Sequence, residues 1–219
     1  MVSDICVIFD MDGVIMDNNF YHEKAWRTFC KIHNIYLSDE EFHRYVFGRI
    51  SNDTMNFIFK KNHTEAEIDR YVDEKENIYR QIYKDKIKMT EGLSTFLNEL
   101  KKMDVPIALA TSAPTENVEF AFSYLPIRNF FKCILDASDI VKGKPDPEIY
   151  IKAIGQLGIK PERCIVFEDS ISGVMSALNA GTHVIGVATT HDPEEFDGVS
   201  LVIENFKSIS FNKMTSILN

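Results

Sequence analysis

Asp10 and Asp12 stand two residues apart at the end of a short apolar run, Ile5 to Phe9, with Gly13 directly behind them. The run reads as a buried strand. Two carboxylates this close in a dry crevice need a cation or a proton between them, and the glycine lets the backbone turn tightly or approach a ligand. Cys164 to Phe167 is a second such run, and it ends in Glu168-Asp169-Ser170. Ile107 to Ala110 ends in Thr111-Ser112 ahead of Pro114, where the start of a helix would offer unpaired N–H groups to an anion. Lys144 lies in the loop Lys142-Gly143-Lys144-Pro145-Asp146-Pro147, beyond a strand expected to end near Asp136. Taken singly, each segment has an ordinary use as an acidic turn, a helix cap or a solvated loop.

Together they describe a phosphoryl-transfer site. Asp10, Glu168 and Asp169 gather negative charge that Mg²⁺, a hard cation that prefers oxygen, would neutralise. Thr111, Ser112 and Lys144 can hold the oxygens of a phosphoryl group. Asp10 is then placed to attack phosphorus and become an aspartyl-phosphate. Asp12 can protonate the leaving oxygen and later take a proton from the attacking water.

All these residues need strands that end at one edge, and the chain after Gly92 supplies them. Apolar strands are expected at Val105 to Ala110, Phe131 to Leu135, Cys164 to Phe167, His183 to Val187 and, at an edge, Leu201 to Ile203. They alternate with helices at Leu93 to Lys102, Pro114 to Tyr124, Pro147 to Leu157, Ser172 to Ala180 and Phe206 to Leu218. Such alternation predicts βαβ units and a doubly wound parallel α/β sheet, with ligands beyond the carboxyl ends of its strands. The stretch 18–85 breaks the pattern with no strand of its own. Phe20 to His33 has helical spacing, Ser38-Asp39-Glu40-Glu41 and Thr64-Glu65-Ala66-Glu67 are capping boxes, Gly48 ends the second helix, and Ser51 to Phe59 forms a third. The expected organisation is an α/β core of residues 1–17 and 86–219 with a helical insert at 18–85.

The 219 residues carry a net charge of -9, which argues against nucleic acid as a partner because phosphate contacts need basic patches. Met1 to Asp4 has no basic segment, and no apolar run reaches membrane length. A cytoplasmic protein with no membrane partner is expected. Cys6, Cys30, Cys133 and Cys164 show no paired spacing and read as reduced core thiols.

In four motifs the chain resembles the haloacid dehalogenase superfamily, in the branch with a helical cap after the first strand. They are Asp10-Met11-Asp12-Gly13-Val14, Ala110-Thr111-Ser112, Lys144-Pro145-Asp146-Pro147 and Glu168-Asp169-Ser170 with Gly173. The resemblance implies a Rossmann-like core and Mg²⁺ held by the Asp10 carboxylate, the Asp12 backbone carbonyl and Asp169, with Glu168 beside them. It also implies phosphoryl transfer, since the dehalogenases proper lack an aspartate at the Asp12 position. Tyr21-His22-Glu23-Lys24-Ala25-Trp26 and Lys75 are similar to cap segments of β-phosphoglucomutase-like members. That assigns His22, Trp26, Arg49 and Lys75 to the substrate, though the mutase carries an arginine where this chain has Asn52. The function expected is a Mg²⁺-dependent phosphatase of a small phosphorylated metabolite, a sugar phosphate first. A hexose-phosphate mutase using the same aspartyl-phosphate is the alternative, and a phospho-acceptor receiver module ranks below both.

Overall fold

Six apolar runs become six parallel strands: β1 (Cys6–Phe9), β2 (Ile107–Ala110), β3 (Cys133–Leu135), β4 (Cys164–Glu168), β5 (His183–Val187) and β6 (Leu201–Ile203). The computed structural model describes residues 4–46, 51–60 and 62–218. The strand order is β3-β2-β1-β4-β5-β6. β1 therefore lies centrally, with Ile8 opposite both Ala108 and Val166. The chain divides into two units, Met1–Asp17 with Ile87–Asn219, and Asn18–Lys86.

In the first unit both faces of the sheet are covered, which explains why β1, β2 and β4 are buried at every position and apolar up to Glu168 at the end of β4. On one side Phe9 stacks on Phe167 with centroids 5.0 Å apart, and Phe96 and Phe206 close the cluster. Phe96 comes from α5 (Leu93–Lys102). On the other side Ile8, Ala108 and Val166 pack with Tyr150, Ile154, Val174 and Ala177, carried by α7 (Glu148–Leu157) and α8 (Ile171–Asn179). α6 (Thr115–Tyr124) follows β2. The single C-terminal helix expected from Phe206 to Leu218 is instead three short pieces, a 3-10 turn at Phe206–Ser208, α9 (Phe211–Thr215) and a second 3-10 turn at Ser216–Leu218. The break has a local cause. Asn205 caps the first turn by accepting the Lys207 N–H, Ile209 is extended, and Ser210 starts afresh by accepting the Lys213 N–H.

The second unit is helical: α1 (Asn19–Ile32), α2 (Asp39–Tyr45), α3 (Ser51–Phe59) and α4 (Glu65–Tyr83). Both capping boxes form. Ser38 Oγ accepts the Glu41 N–H while Glu41 accepts the Ser38 N–H, and Thr64 and Glu67 repeat the exchange. Trp26, Phe29, Phe42, Val46, Met55, Ile58 and Ile68 make the core of this unit. Gly48, expected to end the second helix, lies outside the described residues. Among the described residues no helix is long and apolar enough to cross a membrane.

Candidate active site

The strand order dictates what meets at the carboxyl edge. Asp10 extends the ladder one step past β1, its N–H donating to Phe167 O at 3.0 Å, so backbone pairing fixes its place. The chain then folds back sharply. Met11 O accepts the Ile15 N–H at 2.8 Å, and Gly13, at φ 74°, donates to Met16 O at 2.7 Å. Asp12 is half-buried in this turn, and its backbone bridges to Met16. From the loop after β5, Thr189 Oγ1 donates to Gly13 O at 2.6 Å and pins the turn from outside.

Lys144 is the hub. Its Nζ donates to Asp10 Oδ1 at 2.6 Å, to Glu168 Oε1 at 2.5 Å and to Ala110 O at 3.4 Å, so all three ammonium donors have acceptors. The lysine thus draws together the ends of β1, β2 and β4, reaching Asp10 from 134 residues away. Glu168 is fully buried and saturated. Oε1 accepts from Lys144 and the Tyr150 hydroxyl, and Oε2 accepts from Asp169 N, Ser170 N and Ser170 Oγ. Gly173 makes room for it, because a Cβ there would come within 1.8 Å of Glu168 Oε1.

Asp169 is buried and accepts a hydrogen bond from the Thr190 hydroxyl. Thr111 is buried just past β2. Its N–H donates to Leu135 O at 3.0 Å, and its Oγ1 accepts the Ala113 N–H at 3.1 Å. Ser112, next to it, is exposed.

The electrostatics follow from burial. Asp10 is pushed well above the usual carboxylate range by burial first and by Glu168 and Asp169 next, against the pull of Lys144. For Lys144 burial works downward, but Asp10 and Glu168 outweigh it and hold the ammonium well above the ordinary lysine value. Burial, with Glu168 beside it, also lifts the Tyr150 hydroxyl, which stays a donor. Asp10, Glu168 and Asp169 each present an oxygen within 4.8 Å of the others. Three carboxylates against one ammonium leave an excess of buried negative charge. A hard divalent cation would offset that charge.

The helical unit holds a separate cluster. Lys75 Nζ reaches His22 Nδ1 at 3.1 Å and Glu76 Oε1 at 2.7 Å, and lies 5.2 Å from the Trp26 ring. His22 stacks on Tyr79 at 3.8 Å, and the Tyr79 hydroxyl accepts from Asn18 Nδ2 at 2.7 Å. Three residues assigned to substrate from sequence are thus brought together, with Trp26 also part of the helical core. The fourth, Arg49, lies outside the described residues.

Tyr150, Thr189 and Thr190 were not foreseen. Tyr150 occupies the apolar stripe of α7 and carries a core pattern. The two threonines belong to no recognisable motif, and only their position just after a strand, β5, could have pointed to them.

The model of the haloacid dehalogenase-like hydrolase family matches residues 7–187. Hexitol phosphatase A of Escherichia coli (strain K12) is 29% identical over 208 residues, 94% of this chain and 93% of that protein. Beta-phosphoglucomutase of Bacillus subtilis (strain 168) is 29% identical over 191 residues, 83% of this chain and 82% of its own. A crystal structure described as a HAD hydrolase, family IA, variant 3, from Entamoeba histolytica HM-1:IMSS superposes with a TM-score of 0.92 at 32% identity, covering 98% of this chain and 99% of that one.

Proposed function

The chain belongs to the haloacid dehalogenase-like hydrolases, and on that premise we propose that it is a phosphatase of small phosphorylated metabolites, sugar phosphates first, working through an aspartyl-phosphate on Asp10. One observation carries this reading. A buried carboxylate at a strand end is held 2.6 Å from a buried ammonium that also touches the residue before Thr111. In this arrangement Lys144 and Thr111 grip the phosphoryl oxygens, whose charge spreads in the transition state. Asp10 Oδ attacks phosphorus as the ester oxygen leaves. Asp12 gives that oxygen its proton, then removes one from the water that releases phosphate. Asp10, Asp169 and the Asp12 carbonyl would hold a Mg²⁺ ion, which screens the phosphoryl charge so that an anionic nucleophile can approach. Glu168, its oxygens already taken by protein donors, holds Lys144 instead.

The helical unit supplies the groups that select the substrate, namely His22, Lys75 and Arg49, with Trp26 beneath Lys75. The family match displaces the receiver-module alternative. The mutase reading keeps one specific support, a β-phosphoglucomutase relative at the same identity as the hexitol phosphatase. A panel of phosphorylated metabolites assayed for released phosphate tests both. The expected result is turnover that needs added Mg²⁺, disappears with EDTA and returns on refilling. Insensitivity to chelation would refute the metal assignment. Primer-dependent conversion of β-glucose 1-phosphate to glucose 6-phosphate, in preference to free phosphate, would move the protein to the mutases.

A further inference from the structure

We infer that Tyr150 is a positioning residue of the phosphoryl-transfer site, its hydroxyl holding Glu168 and, through it, the Lys144 ammonium against Asp10. The inference rests on the reading above. Tyr150 is six residues beyond Lys144 in the chain and sits fully buried in α7, with its ring among Ile149, Ala153 and Ile154 and their neighbours across the sheet. Packing accounts for the ring. It does not account for the hydroxyl, which leaves the apolar stripe to donate to Glu168 Oε1 at 2.7 Å. A buried hydroxyl without a partner is costly, so core positions that need only bulk are filled by phenylalanine at no such risk.

Two donors share one oxygen here. Lys144 Nζ meets Glu168 Oε1 at 2.5 Å, and the same nitrogen meets Asp10 Oδ1 at 2.6 Å and stands 4.9 Å from the Tyr150 ring centroid. The ammonium is therefore divided between two carboxylates. How far it leans toward Asp10 depends on how much negative charge Glu168 Oε1 has left to offer. The tyrosine hydroxyl takes part of that charge. It also fixes the carboxylate from one side, while three donors hold Oε2 and the bare Gly173 admits the group from the other. Without the hydroxyl, Lys144 is the sole donor to Oε1. It is then drawn toward Glu168, away from the nucleophile and from the phosphoryl oxygens it must meet in the transition state.

Tyr150→Phe keeps the ring and removes only that bond. With p-nitrophenyl phosphate and saturating Mg²⁺, kcat should fall about tenfold with KM within about twofold, because the loss is felt in the transition state rather than in ground-state binding. In a Lys144→Met background the same change should cost nothing further, since the tyrosine acts only through the lysine. An unchanged kcat in Tyr150→Phe, or the same tenfold loss repeated without Lys144, would overturn the inference. A purely packing role would shift the melting temperature and leave this pattern absent. If the wild type shows no Asp10-dependent turnover, it is the phosphatase reading that fails. A crystal structure of Tyr150→Phe then decides the inference alone: a Lys144 Nζ withdrawn from Asp10 supports it, and an unmoved one refutes it.

Discussion

Each unit of this protein buries a lysine, and the two are treated differently. The Lys144 side chain is 6% exposed and the Lys75 side chain 5%. Lys144 faces Asp10 and Glu168, whose positions are set by parallel strands and which lie 134 and 24 residues from it in the chain. Lys75 faces Glu76, its immediate neighbour, and His22 on another helix, above an aromatic floor of Trp26 and Tyr79. The first lysine sits in a loop, but both of its carboxylate partners are placed by backbone pairing at strand ends. The second is fixed by rotamers on helix faces. A sheet edge gives the constancy that bond-breaking needs, whereas helix faces can be recut to choose among substrates.

The sharpest break of that contrast is to remove each lysine in turn. Lys144→Met should lower kcat by roughly 10² to 10³, as for other lost transition-state contacts. It should also destabilise the fold by about 3–5 kcal/mol, because two carboxylates lose their buried counter-charge. Lys75→Met should leave kcat for p-nitrophenyl phosphate nearly intact while raising KM for the preferred sugar phosphate about tenfold. Equal kcat losses in both variants, measured side by side, would erase the distinction.

Asp12→Asn should produce a smaller and selective effect. Sugar phosphates, whose alkoxide must be protonated as it leaves, should slow far more than p-nitrophenyl phosphate, whose leaving group needs no proton. Comparable losses for both would remove the acid–base role.

The cluster at the sheet edge was legible because a strand that stops at a polar group has a linear signature. An apolar run that stops at an acid or a hydroxyl announces β1, β2 and β4, and the capping boxes at Ser38 and Thr64 announce α2 and α4 to the residue. The C-terminal segment misled because its apolar spacing suits a helix, while Asn205 and Ser210 offer the backbone other partners. Tyr150 was invisible for the opposite reason: its place in the α7 stripe is that of a core residue, and only three-dimensional contact shows what its hydroxyl does. Lys75 and His22 were legible only through likeness to known cap segments, since 53 residues separate them and neither helix hints at the other. The pairing of Cys6 with Cys164, fully buried register partners on β1 and β4 with sulfurs 2.9 Å apart, likewise emerges only from the sheet order.

The smallest expected effect concerns the loop that carries Lys144. Glu148 accepts the Val141 and Lys142 N–H groups and pairs with Lys152. The Lys152 bond first and the loop amides next pull its carboxyl down to about 2. A carboxylate with a depressed folded pKa contributes stability above its unfolded value and loses it as pH falls through the folded one. The thermal stability gap between wild type and Glu148→Gln should therefore be slight but present above about pH 4.5, and close as pH drops toward about 2. A gap that widens on acidification would contradict this anchoring role.

The central claim is that Asp10 carries the phosphoryl group, and it can be tested by catching that group in place. A phosphate ester radiolabelled at phosphorus is mixed with the enzyme and Mg²⁺, quenched in acid within one turnover, and the labelled peptide is mapped. The account predicts an acid-stable, alkali-labile label on the peptide bearing Asp10, absent from Asp10→Asn, whose turnover should fall by about four orders of magnitude or more. Label on another residue, or undiminished turnover in Asp10→Asn, would contradict it.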